Sequence, residues 1–376
     1  MNVVVAIDSF KGSLTSLQAG NAVREAIKSL DNNADVIVLP IADGGEGTVN
    51  ALANGLGGEI KKIQVTGPLF EKIDAEYCIL PDKTTAVIEM ASAAGLHLIP
   101  ESKRNPMETT TYGVGETIKD AIESGCRKFI IGIGGSATND GGIGMLSALG
   151  FKFTDINEKS VSPCAKGLKD LKNISDKNVL PELKECTFKI VCDVNNPLCG
   201  KNGCSFIFAK QKGAADDEIK TMDSWLKNYA EIVKTVSDKA DPEFYGAGAA
   251  GGLGFAFLSF TNAILESGIK IVMDSINLEE HIINSDIVVT GEGKLDSQTI
   301  MGKAPIGVAK LAKKYNKIVI AFSGVVGDKA EILNKHGIDA YFPILRKITT
   351  ENEALKPENA YKNLYSTALQ VFRLLK

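Results

Sequence analysis

Val3-Val4-Val5-Ala6-Ile7-Asp8-Ser9-Phe10-Lys11-Gly12-Ser13 is an apolar, β-branched run that stops abruptly in a polar loop, and Leu17, Ala19, Val23, Ala26, Ile27 and Leu30 follow at helical spacing. A short apolar run giving way to a 3.6-residue period reads as strand, loop, helix. The unit recurs at once: Val36 to Leu39, the loop Ala42-Asp43-Gly44-Gly45-Glu46-Gly47, then Val49, Leu52 and Leu56 on a helical face. Strands alternating with amphipathic helices predict a parallel sheet covered on both faces.

The last third returns to that texture, with strands expected at 286–290, 317–323 and 339–342 and helices at 303–315, 329–336 and from Glu358. Between them the pattern changes at Gly67-Pro68. Residues 74–80 and 84–89 have the spacing of a hairpin turning at Pro81-Asp82-Lys83. Strands follow at 128–133 and 187–193, with helices at 115–123 and 216–237. The predicted fold is a discontinuous, Rossmann-like three-layer α/β domain built from residues 1–70 and 275–376, with a second, mixed α/β domain of residues 71–274 inserted in it.

Composition narrows the function. The chain has 376 residues, 44% hydrophobic and 23% charged, the balance of a globular protein with sizeable cores. A formal net charge of -4 and a pI near 5.6 give no general attraction to nucleic acid or anionic membranes. Seven scattered cysteines without a CxxC pair read as free thiols, and three histidines at unrelated spacings do not build a metal site. No basic leader precedes Val3, so the chain is expected to be cytoplasmic. The uncharged stretch Gly246 to Leu265 opens with five glycines and reads as a buried soluble helix instead of a membrane span. Small-molecule partners are therefore expected; homo-oligomerisation is left open.

Three glycine-rich loops follow strands. Gly132-Ile133-Gly134-Gly135-Ser136-Ala137-Thr138-Asn139-Asp140-Gly141-Gly142 precedes a helical run through Met145, Leu146 and Leu149. Such a loop can aim several backbone N–H groups at one anion, with hydroxyls from Ser136 and Thr138, and the following helix N-terminus adds positive potential. Gly132, Gly134, Gly135, Ser136, Thr138, Asn139, Asp140 and Gly141 are the expected phosphate cradle; a ligand-free strand-to-helix turn is the alternative. Gly291-Glu292-Gly293-Lys294-Leu295-Asp296 sets two carboxylates and a lysine at a strand end. Glu292 and Asp296 suit magnesium and Lys294 suits developing phosphoryl charge, unless the loop only carries a local ion pair.

Asp43, Gly44, Gly45 and Glu46, with Asp8, Ser9 and Lys11, lie at the same expected sheet edge, where Lys11 could pair a carboxylate and the acids could bind hydroxyls. The bland reading is that Asp8 and Ser9 cap the first helix. Asp193, in Asp193-Val194-Asn195-Asn196-Pro197, is a strand-end carboxylate that reads equally as base, metal ligand or Asx-turn. Two familiar signatures fail. Gly302-Lys303 is followed by Ala304, so there is no Walker loop. Gly246-Ala247-Gly248-Ala249-Ala250-Gly251 fits G-x-G-x-x-G but follows no strand.

These loops together resemble the bacterial type I glycerate kinases. The matching segments are Asp8-Ser9-Phe10-Lys11, Ala42-Asp43-Gly44-Gly45-Glu46-Gly47-Thr48, Val65-Thr66-Gly67-Pro68-Leu69, Gly132 to Gly142, Cys192-Asp193, Asn196-Pro197-Leu198, Gly246 to Gly252, Thr290-Gly291-Glu292-Gly293 and Asp296-Ser297-Gln298. Ile7 and Cys204 depart from the usual proline and alanine. The resemblance implies transfer of phosphate from ATP to glycerate with magnesium, 2-phosphoglycerate being favoured over the 3-isomer. For such a transfer the chemistry of the loop residues makes Asp193, Lys11, Lys294 and Asp296 candidate catalytic residues, and Asp193, Glu292 and Asp296 candidate metal ligands. A nicotinamide-dependent hydroxy-acid dehydrogenase and a non-catalytic sensor of phosphorylated metabolites are the alternative readings.

Overall fold

A computed structural model of the chain describes residues 1–41, 57–300 and 302–375. The expected loop at Asp43, Gly44, Gly45 and Glu46, and the helix expected after it, lie outside them. The described chain divides into two compact units, one of residues 1–41 and 268–375 and the other of residues 57–267.

The first unit holds a five-stranded sheet of β1 (Asn2–Ile7), β2 (Asp35–Val38), β11 (Ile287–Leu295), β12 (Ile318–Val326) and β13 (Ala340–Pro343), numbered in chain order, in the spatial sequence β13-β12-β11-β1-β2. Every pairing is parallel. Alternate side chains of β1 point to opposite faces. Val3, Val5 and Ile7 join Ala19, Val23, Ala26 and Ile27 of the helix Ser16–Leu30, together with Leu364, Ala368 and Phe372 of the helix Pro357–Leu374. The helix Ala304–Lys314 buries Ile306, Val308, Ala309 and Ala312. This is the expected three-layer arrangement of a sheet with amphipathic helices.

The helix Ser16–Leu30 begins with a capping box. Thr15 accepts from Gln18 N at 3.2 Å, and the Gln18 side chain accepts from Thr15 N at 2.9 Å. Asp8 and Ser9 are therefore not its caps. β11 differs from expectation by running through the glycine-rich segment to Leu295, pairing Glu292 with Ser323 and Lys294 with Val325. Gly291 permits this close approach: a Cβ there would lie 2.1 Å from the Phe322 carbonyl oxygen.

In the second unit, β3 (Glu59–Thr66), β4 (Lys72–Ile79), β5 (Thr85–Glu89), β6 (Lys128–Gly132), β9 (Thr187–Val191) and β10 (Ala263–Glu266) form a sheet in the order β10-β9-β6-β5-β4-β3, and β7 (Lys152–Thr154) pairs with β8 (Asn173–Ser175). The expected hairpin is β4-β5, antiparallel, and β5, β6, β9 and β10 run parallel. Gly67-Pro68, where the sequence texture changes, falls in the turn between β3 and β4, inside this sheet. Phe129, Phe188 and Phe257 stack in its core.

The apolar stretch from Gly246 is a short helix, Ala249–Phe260, followed by β10, a strand its composition did not signal. Ala250, Gly251 and Gly252 have φ of 52°, 68° and 93°, three left-handed residues in succession. Gly251 abuts the 132–142 loop, and a Cβ would lie 2.1 Å from the Thr138 carbonyl oxygen. Gly251→Ala is expected to destabilise the protein by about 2 kcal/mol through this clash and the positive φ. Urea unfolding checks it, and an unchanged midpoint would refute the strain.

Among the described residues no helix is long and apolar enough to cross a membrane, and all seven cysteines are unpaired thiols.

Candidate active site

The candidate residues divide into two strand-end sets, one in each unit. In the first unit the chain runs from β1 through a helix to β2 on one side, and from β11 through a helix to β12 and β13 on the other. The order reverses between β1 and β11, and open α/β sheets bind ligands outside the carboxyl ends of strands at such a switch point. Asp8 leaves β1 here, its backbone N–H donating to the Gly291 carbonyl at 2.9 Å, while Ser9 N donates to Asp8 Oδ1 at 2.6 Å. Ser16 Oγ donates to the Ile7 carbonyl at 2.5 Å and accepts from Ile41 N at 3.0 Å, tying the ends of β1 and β2 to the first helix. Gly293 faces the next turn of this loop, and a Cβ there would lie 3.5 Å from Lys11 N. Asp8 is buried and Lys11 is exposed.

On β11, Glu292 is 8% exposed, with Thr299 Oγ1 donating to its Oε1 at 2.6 Å and Lys303 Nζ 3.4 Å from its Oε2. Lys294 Nζ lies 3.1 Å from Asp296 Oδ2. That ammonium holds the Asp296 carboxyl below the usual carboxylate range, and Gln298 N adds a hydrogen bond to Oδ1. Both acids thus face a lysine, so the set is charged on both sides and suited to an anionic substrate or a developing phosphoryl charge.

In the second unit, β6 and β9 are neighbours in register, Gly132 opposite Val191. The glycine-rich loop after β6 and Asp193 after β9 therefore emerge side by side at the carboxyl edge of the sheet. The loop has two parts. Gly134 and Gly135 are exposed, and a Cβ at Gly134 would meet nothing within 4 Å. From Ala137 onward the loop faces protein: Ala137 N donates to the Ala94 carbonyl and Gly141 N to the Gly251 carbonyl.

Asp140 is wholly buried and accepts from Thr111 N at 2.9 Å, Thr111 Oγ1 at 2.8 Å, Gly142 N at 2.9 Å and Gly144 N at 3.3 Å. Thr111 Oγ1 itself accepts from Met145 N, which leaves its proton for the carboxylate. Burial pushes the Asp140 carboxyl up, and these donors pull it back. The amides of Gly142 and Gly144 are thereby engaged inside the loop, and its exposed part is the Gly134–Gly135 turn.

Sequence reading missed Lys212. It is 3% exposed, and its ammonium donates to Ser136 Oγ at 2.8 Å and to the Thr138 carbonyl at 2.7 Å. Nearby, Asn139 Nδ2 donates to Ser205 Oγ at 2.9 Å. Nothing in the string Lys210-Gln211-Lys212 marks one lysine as buried and the other as exposed; tertiary packing decides it. The G-x-G-x-x-G string at 246–251 is accounted for by close packing: Gly246 lies against Cys192, Leu265 and Val194, Gly248 against the Pro197 carbonyl, and Gly251 against Thr138 of this same loop.

Among the described residues no three of His, Cys, Asp and Glu gather into a metal cage. A hard divalent ion such as magnesium needs only one or two carboxylates when phosphate oxygens and water complete its shell. The carboxylate of Asp193, exposed two residues beyond β9, suits that donor set.

A sequence model of the glycerate kinase family matches residues 3–376. The chain belongs to the glycerate kinase family. A glycerate kinase of Haemophilus influenzae is 44% identical over 375 residues, spanning 100% of this chain and 99% of its own length. The glycerate 2-kinase of Escherichia coli is 46% identical over 364 residues, spanning 97% and 95%. The crystal structure of a protein described as glycerate kinase 2 from Salmonella typhimurium LT2 matches the fold with a TM-score of 0.90 at 42% identity, covering 100% of this chain and 98% of that one.

Proposed function

We propose that this chain is a cytoplasmic glycerate kinase that moves the γ-phosphoryl group of ATP onto glycerate, giving 2-phosphoglycerate. The observation that carries the reading is kinship over the whole chain, from residue 3 to residue 376, with curated glycerate kinases at 42–46% identity. The 2-product is favoured because one of these relatives is named a glycerate 2-kinase. Unpaired thiols throughout suit a reducing compartment.

In this reading the Gly134–Gly135 turn and Ser136 hold ATP phosphate, and Asp8, Ser9 and Lys11 hold glycerate, Lys11 against its carboxylate. The reacting hydroxyl oxygen forms a bond to the γ-phosphorus as the bridging bond to ADP breaks. Its proton passes to an aspartate, for which Asp193 is the leading choice. Lys294 offsets charge on the transferring group. Magnesium, held through Asp193 or the Glu292 and Asp296 carboxylates, would supply charge neutralisation of the polyphosphate.

A coupled ADP-release assay with ATP, magnesium and D-glycerate beside other small hydroxy acids tests this, with phosphorus NMR of the product. ADP formation dependent on glycerate, with the new phosphate on the 2-hydroxyl, is expected. Glycerate-independent ADP release, or preference for another acid, would overturn the substrate assignment, and a 3-phosphate signal would overturn the regiochemistry.

A further inference from the structure

Lys212 is an ammonium buried against two neutral oxygens, Ser136 Oγ and the Thr138 carbonyl. A cation removed from water is costly unless an opposite charge compensates it. Asp140 attracts it from a distance, but the Asp140 oxygens accept from Thr111, Gly142 and Gly144. An ammonium carries three donors, and the two recorded here both hold the segment that follows the exposed Gly134–Gly135 turn. Drawing the Thr138 carbonyl and the Ser136 hydroxyl inward fixes the backbone on which that turn stands. The Lys212 charge also raises the potential where an anion would arrive.

We infer that Lys212 is a positioning residue for nucleotide phosphate, holding the Gly134–Ser136 segment in its receptive shape from beneath. This rests on the reading that the 132–142 loop receives ATP phosphate. Burial pushes the Lys212 ammonium down to about 8 from its ordinary 10.5. Burial also pushes the neighbouring Asp140 carboxyl up, against the pull of its donors from Thr111, Gly142 and Gly144, and pushes the Cys204 thiol up to about 12; the Arg104 backbone packs on Gly213.

Two consequences of opposite sign follow. As pH rises through 8 the ammonium is lost, so the KM for ATP rises. The folded state meanwhile binds fewer protons than the unfolded state between pH 8 and 10.5, so this group's contribution to stability increases over the same window.

The test measures kcat and both KM values from pH 7 to 9.5 for the native enzyme, Lys212→Met and Ser136→Ala, with urea unfolding of each. Lys212→Met is expected to raise the ATP KM about 10-fold, to leave the glycerate KM within about twofold, and to abolish the step near pH 8. A folded Lys212→Met enzyme in which both KM values move together, or neither moves, overturns the proposal. If that variant does not fold, the native enzyme decides: an ATP KM flat across pH 8 refutes it, and a rise confined to ATP supports it. Ser136→Ala separates the two levels. An unchanged ATP KM there removes the phosphate-loop reading itself. A raised one, with Lys212→Met at native values, removes only the role of Lys212.

Discussion

Asp193→Asn is expected to lower kcat by about 100- to 10,000-fold, the range set by loss of a positioned proton acceptor, with urea unfolding within about 0.5 kcal/mol of the native protein. The separation follows from where the residue sits. Asp193 is exposed, two residues beyond the end of β9, and the neighbouring strand β6 releases the glycine-rich loop at the same edge. Asparagine keeps the shape and removes the charge and basicity. Raising magnesium distinguishes the two roles: partial recovery at high magnesium marks a metal ligand, and no recovery marks the base. Near-native turnover would strike Asp193 from both.

Asp140→Ala should have the largest effect on folding, a loss of about 3–5 kcal/mol. The carboxylate gathers four donors, from Thr111 N, Thr111 Oγ1, Gly142 N and Gly144 N, inside a site closed to water. Alanine leaves these donors without an acceptor at the start of the helix Ile143–Ala148. Asp140→Asn keeps one acceptor oxygen and is expected to lose less. Urea denaturation of both variants checks the ranking. A loss under about 1 kcal/mol for alanine would mean that the loop closes over the gap or admits water.

The parallel core was legible because burial on both faces demands continuous apolar strands: Val3 to Ile7 and Ile287 to Thr290 carry no other reading. The extension of β11 to Leu295 was not. Gly-Glu-Gly-Lys has no strand period, and what holds it straight is the register against β12 and the close contact of Gly291 with Phe322. β10 was hidden for a similar reason, its four residues continuing the apolar texture of the preceding helix. At the candidate site, the glycine spacing of 132–142 signalled an unusual loop. It could not divide that loop into an exposed turn and a buried anchor, because the division is made by Thr111, Gly251 and Lys212, residues distant in sequence. Thr15 and Gln18 were a capping box in plain view, and they relieve Asp8 and Ser9 of that duty.

β1 sits between β2 and β11, pairing Val3 with Val36 and with Ile287. On a ribosome adding roughly 5–20 residues per second, the second of those partners appears about a quarter of a minute to a minute after the first. Throughout that interval the nascent chain presents one side of an apolar strand as an open edge, a natural point for chaperone capture or unwanted pairing. Residues 57–267, by contrast, emerge as a continuous run with every strand of their own sheet. The switch point beside Asp8 therefore comes into being only after β11 has been synthesised.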